Sequence, residues 1–291
     1  SISLLLALIA LVAGMYFDGL RLQRLVKIGG YNLSIKAVLR VIFSNYFMAM
    51  LTPGASGGAV AQVLVLKSYG VPISKGTPIV LIRTVFSIMF LVIMLPLVFL
   101  RDAIEIPYIS RDMLLIFAVL AVIATLLGTY ILQTKYMRQF VYNLAQRFKA
   151  HKTRDWLSKL ETLNQGLGLL YKQPIQSFIV FIESGLSLLC LYCIAPALMY
   201  AFIPDIPIID ILDRMILLNL ILYFAPTPGG TGIAEGLFVV LFSTFVPNGT
   251  VGIVAVAWRV MAEYLPFFVG MYAVLTLYGR QFVAQETSKE Q

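Results

Sequence analysis

Pro226-Thr227-Pro228-Gly229-Gly230-Thr231-Gly232-Ile233-Ala234-Glu235 decides how this chain folds. The stretch interrupts an apolar run with two prolines, three glycines and a carboxylate. Proline lacks a backbone donor and glycine resists the helix. In hydrocarbon such backbone survives only when buried in protein or lining a cavity. A near-copy stands earlier as Leu51-Thr52-Pro53-Gly54-Ala55-Ser56-Gly57-Gly58. Paired broken segments in the two halves of a membrane protein are a pointer to a transport site.

The surroundings agree. The chain has 291 residues, is 60% hydrophobic and 12% charged, and has a mean hydropathy of +0.89. A water-soluble domain this apolar would lack polar residues for its surface, so the sequence predicts an integral membrane protein. The net charge of +8 lies between apolar runs, as anchors to an anionic leaflet do, and calls for no nucleic acid. Cys190 and Cys193 fall within an apolar run and read as small apolar residues. The single histidine, His151, lies among basic residues, so no metal site and no cofactor is expected.

Outward from the breaks, Ile2–Phe17 reads as a first span clipped at its start, since it lacks the flanks of a signal peptide. A basic stretch with Arg21, Arg24, Lys27, Lys36 and Arg40 follows. Val38–Leu51 and Gly58–Tyr69 are short arms around the first break. Thr77–Leu100, Met113–Leu132, Ile175–Ile203 and Val251–Tyr278 are long apolar runs, and Ile211–Ala225 and Ile233–Phe245 are short arms around the second break. A full span needs about 20 apolar residues, which the arms lack. Thr134–Lys172 carries eight Lys or Arg and two apolar helical faces, one with Met137, Val141, Leu144 and Phe148, the other with Trp156, Leu160, Leu163, Leu167 and Leu170. Such basic amphipathic helices lie along a membrane surface or dock a partner.

The basic loops place residues 18–37, 133–174 and the tail in the cytoplasm. The arms 38–69 then enter and leave from inside, and the arms 211–246 from outside. Thr52, Pro53, Gly54 and Gly57 recur as Thr227, Pro228, Gly229 and Gly232 at an offset of 175, and Arg83 recurs as Arg259 at 176. The expected fold is an all-α integral membrane protein of seven spans plus two re-entrant broken hairpins, arranged as inverted-topology repeats. It forms one membrane domain over 1–291: repeat one 1–100, a linker span with cytoplasmic amphipathic helices over 101–174, and repeat two 175–280.

A hairpin turning at depth aims the N-terminus of its second arm into the membrane, where free N–H groups and the helix dipole attract anions. The expected binding residues are Thr52, Gly54, Gly57, Gly58, Arg83, Thr227, Gly229, Gly230, Gly232, Glu235, Arg259 and Glu263, with Arg83 and Arg259 offering forked donors to a phosphate. The glycines could equally serve tight helix crossing. Glu235 could cap its own helix or pair with Arg259, and Glu263 stands one turn from Arg259. Glu183, inside an apolar run with no partner evident, is a candidate coupling group.

Pro228-Gly229-Gly230-x-Gly232-x-x-Glu235, followed by Arg259, Tyr264, Pro266 and Gly270, resembles the flippase-like membrane region of lysylphosphatidylglycerol synthases and the related UPF0104 proteins. Gly57-Gly58, Gly70-Val71-Pro72 and Arg83 are similar as well, although uncharged Ala59 and Gln62 stand where many relatives carry charge. The resemblance implies movement of an aminoacylated, otherwise anionic or polyprenyl-linked lipid between leaflets of the inner, cytoplasmic membrane. The aminoacyl-transferase domain of the bifunctional relatives is absent, so no synthesis is expected, and no phosphate loop for ATP is present. Expected partners are membrane lipids, with a lipid synthase or a second copy of the chain as further candidates. Two other readings stay open. Carboxylates 183, 235 and 263 could serve an enzyme acting on a lipid intermediate, and 134–172 could make the chain an adaptor for a synthase.

Overall fold

The computed structural model describes residues 2–101, 111–131, 168, 173–247 and 249–287, and every regular element among them is helical. The helices are α1 (Ile2–Ile28), α2 (Ile35–Leu51), α3 (Ser56–Ser68), α4 (Ile73–Leu100), α5 (Arg111–Ile131), α6 (Pro174–Tyr192), α7 (Ile194–Met199), α8 (Ile208–Leu222), α9 (Ile233–Phe242), α10 (Val251–Arg259) and α11 (Leu265–Thr287). Short 3₁₀ turns, Pro53–Ala55 and Pro228–Gly230, occupy the two breaks, and a π-helical turn, Val260–Tyr264, joins α10 to α11.

Four stretches of helix are long and apolar enough to cross a membrane among the described residues, Ile2–Ile28, Ile73–Leu100, Pro174–Met199 and Val251–Leu277, where the sequence reading expects seven spans. The apolar helix α5 stands beside them. The basic segment 134–172 with its two apolar faces lies outside the described residues, apart from Gly168.

α1 runs eleven residues past the Phe17 boundary drawn from sequence, because its charges are satisfied inside the protein. Asp18, Arg21, Leu22 and Leu25 share one buried face at helical spacing. Ile2, Leu5, Ile9 and Val12 keep the opposite face exposed and apolar, as a lipid-facing surface requires. α1 packs along α6 and α7, α2 lies antiparallel to α3 and against α11, and α4 touches α3, α5, α6 and α8. One core cluster links nearly all of these helices, from Ala7 and Leu22 to Phe238 and Trp258.

Close helix contact uses small residues. Ser187 Oγ donates 2.9 Å to Gly14 O, binding α6 to α1. At Gly270 of α11, an added Cβ would overlap the Phe43 carbonyl oxygen of α2, which is backbone and cannot swing away. Gly270→Ala is therefore expected to cost about 1–3 kcal/mol through overpacking, read as a lower melting temperature of the purified protein in detergent.

Candidate functional site

The two breaks meet. The 3₁₀ turns touch one another, and Gly229 comes so near α2 that an added Cβ would lie 2.5 Å from Met50 Sδ. They are also copies at the level of single bonds. Thr52 and Thr227 are extended, Pro53 and Pro228 open the turns, and Gly54 and Gly229 both take φ +58°. Ala55 N donates to Thr52 O at 3.2 Å, and Gly230 N to Thr227 O at 3.0 Å. Ser56 Oγ and Thr231 Oγ1 donate to Pro53 O and Pro228 O at 3.0 and 2.8 Å. These equivalents all keep the offset of 175 read from sequence.

Ala55 occupies the left-handed region at φ +52°, the only non-glycine residue to do so among those described, and its equivalent is Gly230 at φ +69°. An L side chain there is strained by roughly 1–2 kcal/mol. Allowing for the backbone freedom that glycine adds to the unfolded chain, Ala55→Gly should stabilise by about 0.5–1 kcal/mol and raise the melting temperature.

The copies then diverge. In the first break Thr52 Oγ1 donates to Met48 O at 2.8 Å and accepts from Gly57 N at 2.8 Å, so its hydroxyl closes the start of α3. In the second, the equivalent donor Gly232 N is taken at 2.7 Å by Glu235 Oε2, so Glu235 caps α9. Thr227 Oγ1 is consequently buried with no partner. Gly58 packs its Cα against Asn45, where a Cβ would collide with Oδ1, and Gly230 is buried below Leu222.

The two arginines diverge likewise. Arg83, 6% exposed, forks onto both oxygens of Asp18, with Nε at 3.1 Å from Oδ1 and Nη2 on Oδ2, and donates Nη1 to Gln62 Oε1. Arg21 Nε donates 2.5 Å to Asp18 Oδ1, and Nη1 donates 2.7 Å to Ser87 Oγ. Gln62 Nε2 passes the network on to Asn45 Oδ1 at 2.8 Å. Asp18, Arg21, Gln62 and Ser87 are thus site residues that sequence reading missed. Their signal was the i, i+3 pairing of Asp18 with Arg21 on the buried face of α1.

Arg259, 1% exposed, donates Nε to Glu235 Oε1 at 2.8 Å and Nη2 to Gly229 O at 2.7 Å, tying α10 to the second break. Its Nη1 is buried and makes no hydrogen bond, and Glu263 Oε1 stands 3.9 Å away. Glu235 and Glu263 are each about one-third exposed. The partner that sequence reading did not find for Glu183 is Arg24, whose Nη2 reaches Oε1 at 2.7 Å while Nη1 holds Gln176. Arg21 and Arg24 lie within α1 and are spent on Asp18 and Glu183, so neither counts among the basic loop charges that orient a membrane protein.

The site therefore contains one half in which every guanidinium nitrogen of Arg83 is engaged and one half, at the second break, with a guanidinium nitrogen and a hydroxyl that make no hydrogen bond. Among the described residues no cluster of three or more His, Cys, Asp or Glu could hold a metal ion.

A helical membrane protein with two facing proline-glycine breaks and buried ion pairs is the class this fold defines. The chain belongs to the family described as the lysylphosphatidylglycerol synthase TM region, whose model matches residues 1–270. It is also similar to a UPF0104 membrane protein of Archaeoglobus fulgidus, at 21% identity over 279 residues, covering 93% of this chain and 85% of that one.

Proposed function

We propose that this protein moves an anionic lipid head group between leaflets and takes the phosphate at the second break. The observation that carries the reading is the donor set left over there: Arg259 Nη1 and Thr227 Oγ1, both buried and both without a hydrogen bond, with only the Glu263 carboxylate near Nη1, at 3.9 Å. A buried unpaired donor costs roughly 1–3 kcal/mol, so a ligand that satisfies it binds with that gain. The start of α9 adds a favourable dipole. Phosphate offers the two adjacent acceptor oxygens that a guanidinium and a hydroxyl can share.

Dimensions support re-entrant hairpins. α2, α3, α8 and α9 have 17, 13, 15 and 10 residues. At 1.5 Å per residue they reach roughly 26, 20, 22 and 15 Å, short of a hydrocarbon core of about 30 Å. Two hairpins of that height whose turns touch fit a bilayer best when they enter from opposite leaflets, as inverted repeats do. On this reading the long helices do the crossing, the turns lie near the midplane, and Arg83 fixes the first hairpin while Arg259 receives the ligand. The family is described by a lipid synthase, and phosphate-bearing membrane lipids, aminoacylated or anionic, are the proposed cargo. Catalysis is not part of the proposal, since the carboxylates at 183 and 235 are tied to arginines.

Reconstitution tests it. Proteoliposomes containing fluorescent phosphatidylglycerol should lose their protected inner-leaflet signal on addition of dithionite, and empty liposomes should keep it. Equal protection in both would end the proposal.

A further inference from the structure

Glu263 is the carboxylate at this site that nothing yet described uses. Around Arg259 one positive charge faces two negative ones, Glu235 and Glu263. Glu235 is fixed at both oxygens, by Gly232 N and by Arg259 Nε. Glu263 is held by neither a backbone donor nor a short hydrogen bond. It stands 3.9 Å from Nη1, too far for a hydrogen bond and close enough to occupy the approach to it. The π turn that carries Glu263 is a local widening of the helix of the kind found at functional sites, and Pro266 stands two residues past its end.

Resting on the lipid-anion reading above, we propose that Glu263 couples the head group to a proton: a phosphate reaching Arg259 Nη1 displaces the Glu263 carboxylate, which leaves as the protonated acid, so that anion and proton bind together. The step is one O–H bond formed on a Glu263 oxygen and one O–H bond broken in a hydronium ion of the solvent, so that one proton leaves solution for each lipid bound. The physical reason is charge. Glu235 already neutralises Arg259, so a phosphate added beside an ionised Glu263 would put three anions around one guanidinium in a medium of low dielectric. Protonating the one carboxylate that no hydrogen bond holds removes that excess. The charged and titratable groups facing Glu263 are Arg259 on its own helix, Glu235 of α9 and Tyr46 of α2. α1, which also packs on the π turn, carries Asp18 and Arg21, each already engaged within the Arg83 network. The pairing would give a passive lipid carrier a source of energy, since a proton gradient would then draw the head group with it.

The test is binding of dihexanoyl phosphatidylglycerol, below its micelle concentration, to the purified full chain in detergent. This phosphodiester stays singly charged between about pH 5 and pH 9, so any pH dependence belongs to the protein. The wild type should take up about one proton per lipid bound, and its affinity should fall about tenfold per pH unit once Glu263 is ionised in the free protein. Glu263→Gln should show affinity flat with pH and no proton uptake, whereas Glu263→Asp should restore the slope. Dimethyl phosphate at the same pH serves as the tail-free anion and should bind more weakly; equal affinity would overturn a lipid ligand. Binding with no proton uptake by the wild type would overturn the coupling and leave the lipid site standing. No binding at any pH would overturn both. The proton count on the wild type decides the matter even where Glu263→Gln folds poorly.

Discussion

Asp18→Ala is expected to be the most damaging single change for stability, at about 3–5 kcal/mol. Asp18 is 3% exposed and is the shared acceptor of Arg21 and Arg83. With it, this cluster holds two positive charges against one negative. Without it, two guanidinium groups remain in a low-dielectric interior with no counter-ion, each still needing its hydrogen bonds. The measurement is the melting temperature or the half-life on heating in detergent, because membrane proteins of this kind unfold irreversibly and a rate is the meaningful quantity. A second substitution separates charge from shape. Asp18→Ala with Arg83→Met returns the cluster to its original net charge and replaces the fork by an apolar chain. That pair should recover most of the loss, since well-packed apolar residues often replace a buried ion pair at little cost. A double variant no better than Asp18→Ala alone would show that the network acts through geometry and not through charge balance.

Much of the architecture could be read from residue order, and the reasons are local. The arms of both hairpins came within a few residues of their observed limits, because Thr-Pro-Gly both ends one helix and starts a turn that only glycine enters comfortably. The same chemistry at an offset of 175 produces the same hydrogen bonds inside the two 3₁₀ turns, though not at the starts of the helices that follow them. What could not be read is long-range pairing. Asp18 and Arg83 lie 65 residues apart, and Arg24 and Glu183 are 159 apart. A charge near the end of an apolar run looks like the start of a loop until its partner is known, which is why the sequence alone ends the first span at Phe17 and the structure carries α1 on to Ile28. The unequal roles of Arg83 and Arg259 were hidden for a related reason. Their positions in the repeat match, and what differs is whether a neighbouring helix supplies an Asp for the whole fork or only a Glu for one nitrogen.

Arg259 is where loss of function should be largest relative to loss of fold. Arg259→Ala removes the donor at Nη1, the bond to Gly229 O and the counter-charge of Glu235 together. Losing a hydrogen bond to a charged ligand group is worth about 1.5–3 kcal/mol, so lipid binding should weaken on the order of ten- to a hundredfold and transbilayer movement should slow with it. Arg259→Lys is the more telling variant. An ammonium group keeps the charge and yet cannot reach Glu235 Oε1 and Gly229 O while presenting a third donor to the ligand, because it lacks the planar fork. It should therefore preserve most of the melting temperature and still lose most of the transport. Arg83→Lys is the matching control, with the opposite balance: its fork holds Asp18 and Gln62, so the change should lower the melting temperature first. Folded Arg259→Lys protein that moves lipid at the wild-type rate would place the anion elsewhere, and would turn the bond from Nη2 to Gly229 O into a structural tie between α10 and the break and nothing more.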